Sequence, residues 1–199
     1  MDTKKTIEEA VAVLRDGGVI LYPTDTVWGI GCDACNEKAV EKVFEIKRRP
    51  GAKSLIVLAA DLDMVAKYVK EIPSVAVDLV EVNDAPMTII YPGAQYLAPN
   101  VAAEDGSVGI RIPLVSENSP ETDGGAFCRE LVRRLRRPIT STSANVSGQP
   151  SPLSFDEIPE EVLSAVDYVV PRSFGRTATG RASQIIKLGL KGEVEVIRP

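Results

Sequence analysis

The 199-residue chain contains no histidine. That absence removes Ser-His-Asp and Cys-His nucleophilic catalysis, histidine-ligated metal centres and phosphohistidine chemistry together. Cysteine is scarce as well: Cys32, Cys35 and Cys128 are an odd set with no disulfide framework. Cys32-Asp33-Ala34-Cys35 has redox or zinc spacing, but no second pair completes a zinc site, and buried or incidental thiols are the simpler reading. No apolar run approaches the ~18–20 residues that span a bilayer. The opening Met1-Asp2-Thr3-Lys4-Lys5 runs into an amphipathic helix, not into a signal peptide's apolar core, so a cytoplasmic protein without a membrane partner is expected. Neither a Gly-Lys-Ser/Thr phosphate loop nor the dinucleotide glycine fingerprint occurs. Positive charge is not in excess either, and a net charge of −5 argues against gripping nucleic acid by bulk electrostatics.

What is present reads as one α/β domain over residues 1–199. Ile7, Ala10, Val11 and Leu14 recur at helical spacing until Gly17-Gly18 stops them. Helical patterns also cover 37–47, 62–68, 75–82 and an arginine-rich stretch ended by Pro138. Asp61 is placed to cap the helix from residue 62, and Pro159 to start one through Ala165. Short apolar runs at 19–22, 54–59, 87–91, 108–112, 139–143, 168–170, 184–188 and 193–197 read as strands, the last two as a hairpin. Their alternation without internal repeat predicts a twisted, mostly mixed β-sheet flanked by helices. Arg129, Arg133, Arg134, Arg136 and Arg137 crowd the arginine-rich helix. They read as a solvated face with charges complementing the helix C-terminus, or else as a phosphate- or RNA-facing surface.

Two distant strings carry the chemistry. Lys47-Arg48-Arg49-Pro50 closes a helix and supplies charge with a forked donor. Ser141-Thr142-Ser143-Ala144-Asn145-Val146-Ser147-Gly148 opens out of a strand and supplies small neutral donors and acceptors. Together they suggest a phosphate or carboxylate site. The segment from Tyr22 through Pro23-Thr24-Asp25-Thr26 to Trp28-Gly29-Ile30-Gly31 reads as a strand feeding a turn that exposes backbone N–H groups. A polar loop at 172–181 with three arginines is long enough either to close over a ligand or to be plain surface.

These strings resemble the YrdC-like family of threonylcarbamoyl-AMP synthases. The resemblance runs from Tyr-Pro-Thr-Asp-Thr…Gly-Ile-Gly-Cys-Asp through Lys47-x-Arg49-Pro50, Pro86-Met87-Thr88 and 108–113 to Ser143-x-Asn145-x-Ser147-Gly148. It implies a single YrdC-like domain whose sheet surrounds a concave basic cleft. It also implies that L-threonine, bicarbonate and ATP are joined into threonylcarbamoyl-AMP with release of pyrophosphate. ATP is then a substrate, Mg²⁺ arrives with it, and neither a tightly bound cofactor nor a dedicated protein metal ligand is expected. The product would pass to a tRNA threonylcarbamoyl-transferase complex. By this resemblance Lys47 and Arg49 neutralise accumulating charge, and Ser143 and Asn145 orient phosphate or carbamate. Thr24 and Thr26 line the threonine pocket, Arg111 pairs with a carboxylate or phosphate, and Ser141 and Ser183 contact substrate. Competing readings are a YciO-like paralogue and a double-stranded-RNA-binding module that uses the same cleft without catalysis. The chain departs from the family pattern at Trp28, Lys53-Ser54-Leu55, Asp84-Ala85-Pro86 and after Pro113, where a customary His-Pro is missing. With its end at Pro199, it is expected to be of the single-domain type, without the second domain of the long synthases.

Overall fold

Four of the six α-helices among the described residues begin where a short polar side chain caps them. The computed structural model describes residues 2–49, 54–115, 123–174 and 178–199. Asp2 accepts from Lys5 N at 3.1 Å and starts α1 (Thr3–Arg15), whose Ile7, Ala10, Val11 and Leu14 are buried. Asn36 caps α2 (Glu37–Ile46). Asp61 caps α3 (Leu62–Tyr68) through Met64 N at 2.9 Å, as its position before the apolar pattern predicts. α4 (Ser74–Val82) follows Pro73 without a side-chain cap. Asp123 caps α5 (Gly124–Leu135) through Ala126 N at 2.7 Å. α6 (Glu160–Leu163) does follow Pro159, but it is a single turn and stops short of Ala165.

The strands are β1 (Ile20–Tyr22), β2 (Gly29–Gly31), β3 (Ile56–Leu58), β4 (Met87–Tyr91), β5 (Val108–Arg111), β6 (Ile139–Ser143), β7 (Tyr168–Val169), β8 (Gln184–Leu188) and β9 (Val194–Arg198). They form one mixed sheet in the order β7-β1-β2-β6-β3-β5-β4-β8-β9. The β1–β7, β3–β5 and β4–β8 pairs are parallel and the others antiparallel. β8 and β9 form the expected hairpin.

One strand corrects the sequence reading. Residues 22–31 are not a single open turn, because Gly29–Gly31 is a strand between β1 and β6. Glycine hides it from propensity reasoning, yet the close approach demands glycine. A Cβ at Gly31 would lie within 1.9 Å of the Thr140 carbonyl oxygen.

Period-two alternation gives the sheet two different faces. Val57, Ile89, Tyr91 and Ile110 are buried in the core. Their neighbours Ile56, Thr88, Ile90, Gly109 and Arg111 turn to the other side and floor an open concavity. Among the described residues no helix is long and apolar enough to cross a membrane.

Candidate active site

The concavity is a cleft of about 900 Å³, within the usual range for small-molecule sites. Strands and loops distant in sequence build it: Thr24 and Thr26 after β1, Arg49 after α2, Arg111 on β5, Ser141 and Ser143 on β6, Ser183 before β8 and Arg198 on β9. Its charged lining among the described residues is Arg49, Arg111, Lys187 and Arg198 against Glu104 and Asp105. Asp105 is already committed, since it pairs with Lys187 Nζ at 2.8 Å and accepts from Ser107 N and Oγ.

The Lys-x-Arg spacing has a local cause. α2 ends in a Schellman turn: Arg49 N donates to Phe44 O at 3.0 Å and Arg48 N to Glu45 O at 2.9 Å. Arg48 sits in the left-handed region (φ 46°) where glycine is commoner. That turn drives Lys47 inward and brings Arg49 back toward the cleft.

Lys47 is only 3% exposed. Its ammonium donates to the Ser143 carbonyl at 2.5 Å and to Asn145 Oδ1 at 2.8 Å. Ser143 Oγ donates to the same Asn145 oxygen at 2.5 Å, and Asn145 Nδ2 donates to Gln149 O. Burial, and secondarily the Arg49 charge, lower the Lys47 pKa from 10.5 to about 8. The structure therefore joins Lys47, Ser143 and Asn145, although Lys47 and Asn145 stand behind the cleft wall while Ser143 forms part of it. Ser143 can donate to a ligand only by turning its hydrogen away from Asn145.

Arg111 is buried on the cleft floor. Its Nη1 donates to Thr26 Oγ1 at 2.8 Å and lies 3.0 Å from Asp25 Oδ1. Asp25 Oδ1 has no aligned hydrogen bond, so that contact is held by charge. Thr24 Oγ1 spends its hydrogen on Val27 O at 2.7 Å, so across the 2.8 Å Thr24–Thr26 contact Thr26 must donate. The polarised chain Arg111→Thr26→Thr24→Val27 O fixes both hydroxyls. Sequence reading left Asp25 unassigned. It anchors this arrangement through Oδ2, which accepts from Leu114 N at 3.1 Å, and through its own carbonyl, which accepts from Thr179 N.

Ser183 Oγ bonds Thr88 Oγ1 at 2.8 Å, and its carbonyl accepts from Arg198 Nε at 2.8 Å and Nη2 at 2.6 Å. Arg198 escaped the sequence reading because it is the last residue of an edge strand. Only the sheet order carries it across to the cleft.

Pro50 and Lys53, and Arg176 of the 172–181 loop, lie outside the described residues. Of that loop, Thr179 N and Gly180 N donate to the carbonyls of Asp25 and Thr26, which ties its end to the site. The cysteines are quiet. Burial raises Cys35 to about 11, Cys32 to about 12 and Cys128 well above its ordinary value. No cluster of potential metal ligands occurs among the described residues. Some of the arginines in and after α5 are engaged within the fold. Arg134 pairs with Glu130 and Glu8, Arg137 with Asp33, and Arg129 Nε donates to Ala60 O.

Comparison with known proteins gives the site its relatives. The profile of the Sua5, YciO and YrdC family, described as "Telomere recombination", matches residues 12–199. The threonylcarbamoyl-AMP synthase of Stenotrophomonas maltophilia is 35% identical over 179 residues, covering 87% of this chain and 89% of the relative. Pyrococcus abyssi Sua5, solved in complex with L-threonine, superposes with a TM-score of 0.82 at 29% identity over 94% of this chain. This chain spans 52% of the length of that Sua5 chain. Escherichia coli YciO shares the fold, with a TM-score of 0.75 at 23% identity over 98% of this chain and 88% of its own. With the profile spanning nearly the whole sequence, the chain belongs to the Sua5/YciO/YrdC family.

Proposed function

We propose that this chain is an L-threonylcarbamoyladenylate synthase, a nucleotidyltransferase that makes threonylcarbamoyl-AMP and pyrophosphate from L-threonine, bicarbonate-derived CO₂ and ATP. The observation that carries the reading is that one cleft gathers Arg49, Arg111 and Arg198 with the hydroxyls of Thr24, Thr26, Ser141 and Ser143. Relatives named as this synthase, one of them 35% identical, support it. So does the likeness to a Sua5 solved with L-threonine.

The chemistry needs no histidine. The threonine amine adds to CO₂, forming an N–C bond and losing a proton to solvent. A carbamate oxygen then attacks the α-phosphorus, and the bond to the bridging oxygen breaks with departure of pyrophosphate. Most of the barrier lies in bringing two anions together, so placement and charge neutralisation dominate. Arg111, held in place by Thr26 and Thr24, receives the threonine carboxylate. Arg49 and Arg198 face phosphate oxygens, with Ser141 and Ser183 beside them. Ser143 orients the carbamate or α-phosphate. Lys47 acts through Ser143 and Asn145, as a positioning residue. Mg²⁺ enters on the ATP phosphates. Both Asp105 oxygens are occupied, so Asp105 is not assigned to the ion. The product then serves a tRNA threonylcarbamoyl-transferase complex in the cytoplasm.

The test is pyrophosphate release from ATP and bicarbonate, with L-threonine, with serine and without amino acid, together with mass detection of threonylcarbamoyl-AMP. Threonine-dependent release with that mass supports the synthase. A folded protein that releases none refutes it.

A further inference from the structure

Behind the cleft, on the helix-covered side of the same strands, lies a second cavity of about 160 Å³. Val65 of α3, Val80 of α4, Ile89 of β4 and Ile110 of β5 contribute apolar walls. An apolar cavity of about 150 Å³ holds one benzene-sized molecule. Three polar side chains interrupt the greasy lining, Asn83, Tyr91 and Arg129, and the Asn83 amide is engaged with the Ala85 backbone.

The other two are poorly satisfied. Tyr91 is 1% exposed, and its hydroxyl has no hydrogen-bond partner among the described residues. Burial raises its pKa, so the phenol keeps its proton and is a donor at neutral pH. Arg129 donates from Nε to the Ala60 carbonyl at 3.1 Å. Its Nη1 and Nη2 make no hydrogen bond or ion pair among the described residues. The opposing charge felt by Arg129 is that of Asp61, whose Oδ1 caps α3 through Met64 N. Arg133, the other charge felt by Arg129, is of like sign. The half-buried guanidinium fork thus keeps its positive charge and has donors without a protein partner among the described residues, and it lines the same cavity as the Tyr91 phenol.

From this geometry we infer that the back of the sheet carries a binding site for a small aliphatic monocarboxylate. The apolar walls take the branched hydrocarbon tail. The carboxylate accepts from the guanidinium fork of Arg129 and from the Tyr91 hydroxyl, which supplies the partners both lack. The cavity's size excludes nucleotides and aromatic ligands larger than one ring. The site is separate from the synthase cleft but shares its strands. Thr88, Ile90, Gly109 and Arg111 face the cleft where Ile89, Tyr91 and Ile110 face this cavity.

The test is an NMR titration of the full chain with 4-methylpentanoate, with 4-methylpentanamide as the isosteric neutral probe. The expected result is saturable shifts centred on Val80, Ile89 and Tyr91 with a low-millimolar Kd, and binding of the amide about tenfold weaker. Arg129→Met should cost about tenfold and Tyr91→Phe a severalfold loss, while Val80→Phe should fill the cavity and abolish the response. Tyr91→Phe and Val80→Phe are conservative enough to stand if Arg129→Met does not fold. Equal binding of acid and amide would overturn the proposal. So would the absence of saturation, or shifts centred on Arg111 and Ser143 instead.

Discussion

Lys47 keeps a charge where little water reaches it, and this has a measurable consequence. Its pKa falls from 10.5 to about 8 in the folded protein. Below about pH 8 both folded and unfolded chains hold the proton, and burying the ammonium opposes folding. Between about 8 and 10.5 the unfolded chain binds more protons, so this group makes stability rise with pH across that window. The neutral amine still has two hydrogens for Ser143 O and Asn145 Oδ1. Comparing urea midpoints of wild type and Lys47→Met from pH 7 to about 10.5 should therefore show the difference growing in favour of wild type above pH 8. A constant difference would show that the ammonium is not penalised by burial. Thr26 makes a second prediction at this scale. Thr26→Val keeps the shape but removes the acceptor for Arg111 and the donor to Thr24. Leaving the guanidinium less well fixed should raise the KM for threonine about tenfold, with the KM for ATP nearly unchanged and about 1–2 kcal/mol lost in stability. A parallel rise in both KM values would remove Arg111 from the threonine pocket. The residue types of this site were legible in sequence, but the roles within it less so. Lys47 and Asn145 meet Ser143 in the structure, yet only three-dimensional placement sets the first two behind the wall. Asp25 and Arg198 carry no signal that separates them from ordinary surface charges.

Elements were most legible where a cap coincides with a hydrophobic period. Asp61 before α3 and the Gly17 stop after α1 follow from side-chain chemistry acting within one turn of chain. β2 was illegible because Gly-Ile-Gly carries almost no strand propensity, and its reason for being a strand lies more than a hundred residues away in β6. That non-local reason makes a prediction. At Gly31 an added methyl would meet the Thr140 carbonyl at 1.9 Å, a backbone atom that cannot swing aside. Gly31→Ala should cost about 2–4 kcal/mol. It should also reduce turnover in the protein that still folds, because β2 sets the position of β6 and hence of Ser141 and Ser143. Thermal unfolding and single-turnover rates check the two halves. A stable, fully active Gly31→Ala variant would show that β2 and β6 separate without consequence to the site.

The whole molecule is acidic, with a net charge of −5, while its cleft gathers arginines. Asp105 neutralises Lys187 and Asp25 faces Arg111. Of the charges lining the cleft, Arg49 and Arg198 therefore lack a carboxylate within ion-pair distance among the described residues. Burial lowers the pKa of both, and the like charge of Arg111 adds to the effect at Arg198. An anion entering the cleft gains from these local charges and is repelled by the rest of the surface, and the two effects have different ranges. At about 0.05 M salt the Debye length exceeds about 10 Å and distant carboxylates are felt. At about 0.5 M they are screened, while contacts between a phosphate and a neighbouring guanidinium persist in part. ATP, with several negative charges, should show an affinity that salt weakens by no more than about tenfold over that range, because loss of attraction is offset by loss of the long-range repulsion. Threonine is a zwitterion with no net charge, so its affinity should scarcely change. Fluorescence or calorimetric titrations of each substrate across the salt series measure both. A slope for ATP as steep as that of a protein neutralising many phosphates would mean that an extended basic surface, and not a few cleft arginines, holds the nucleotide. The synthase assignments of Arg49 and Arg198 would then have to be withdrawn.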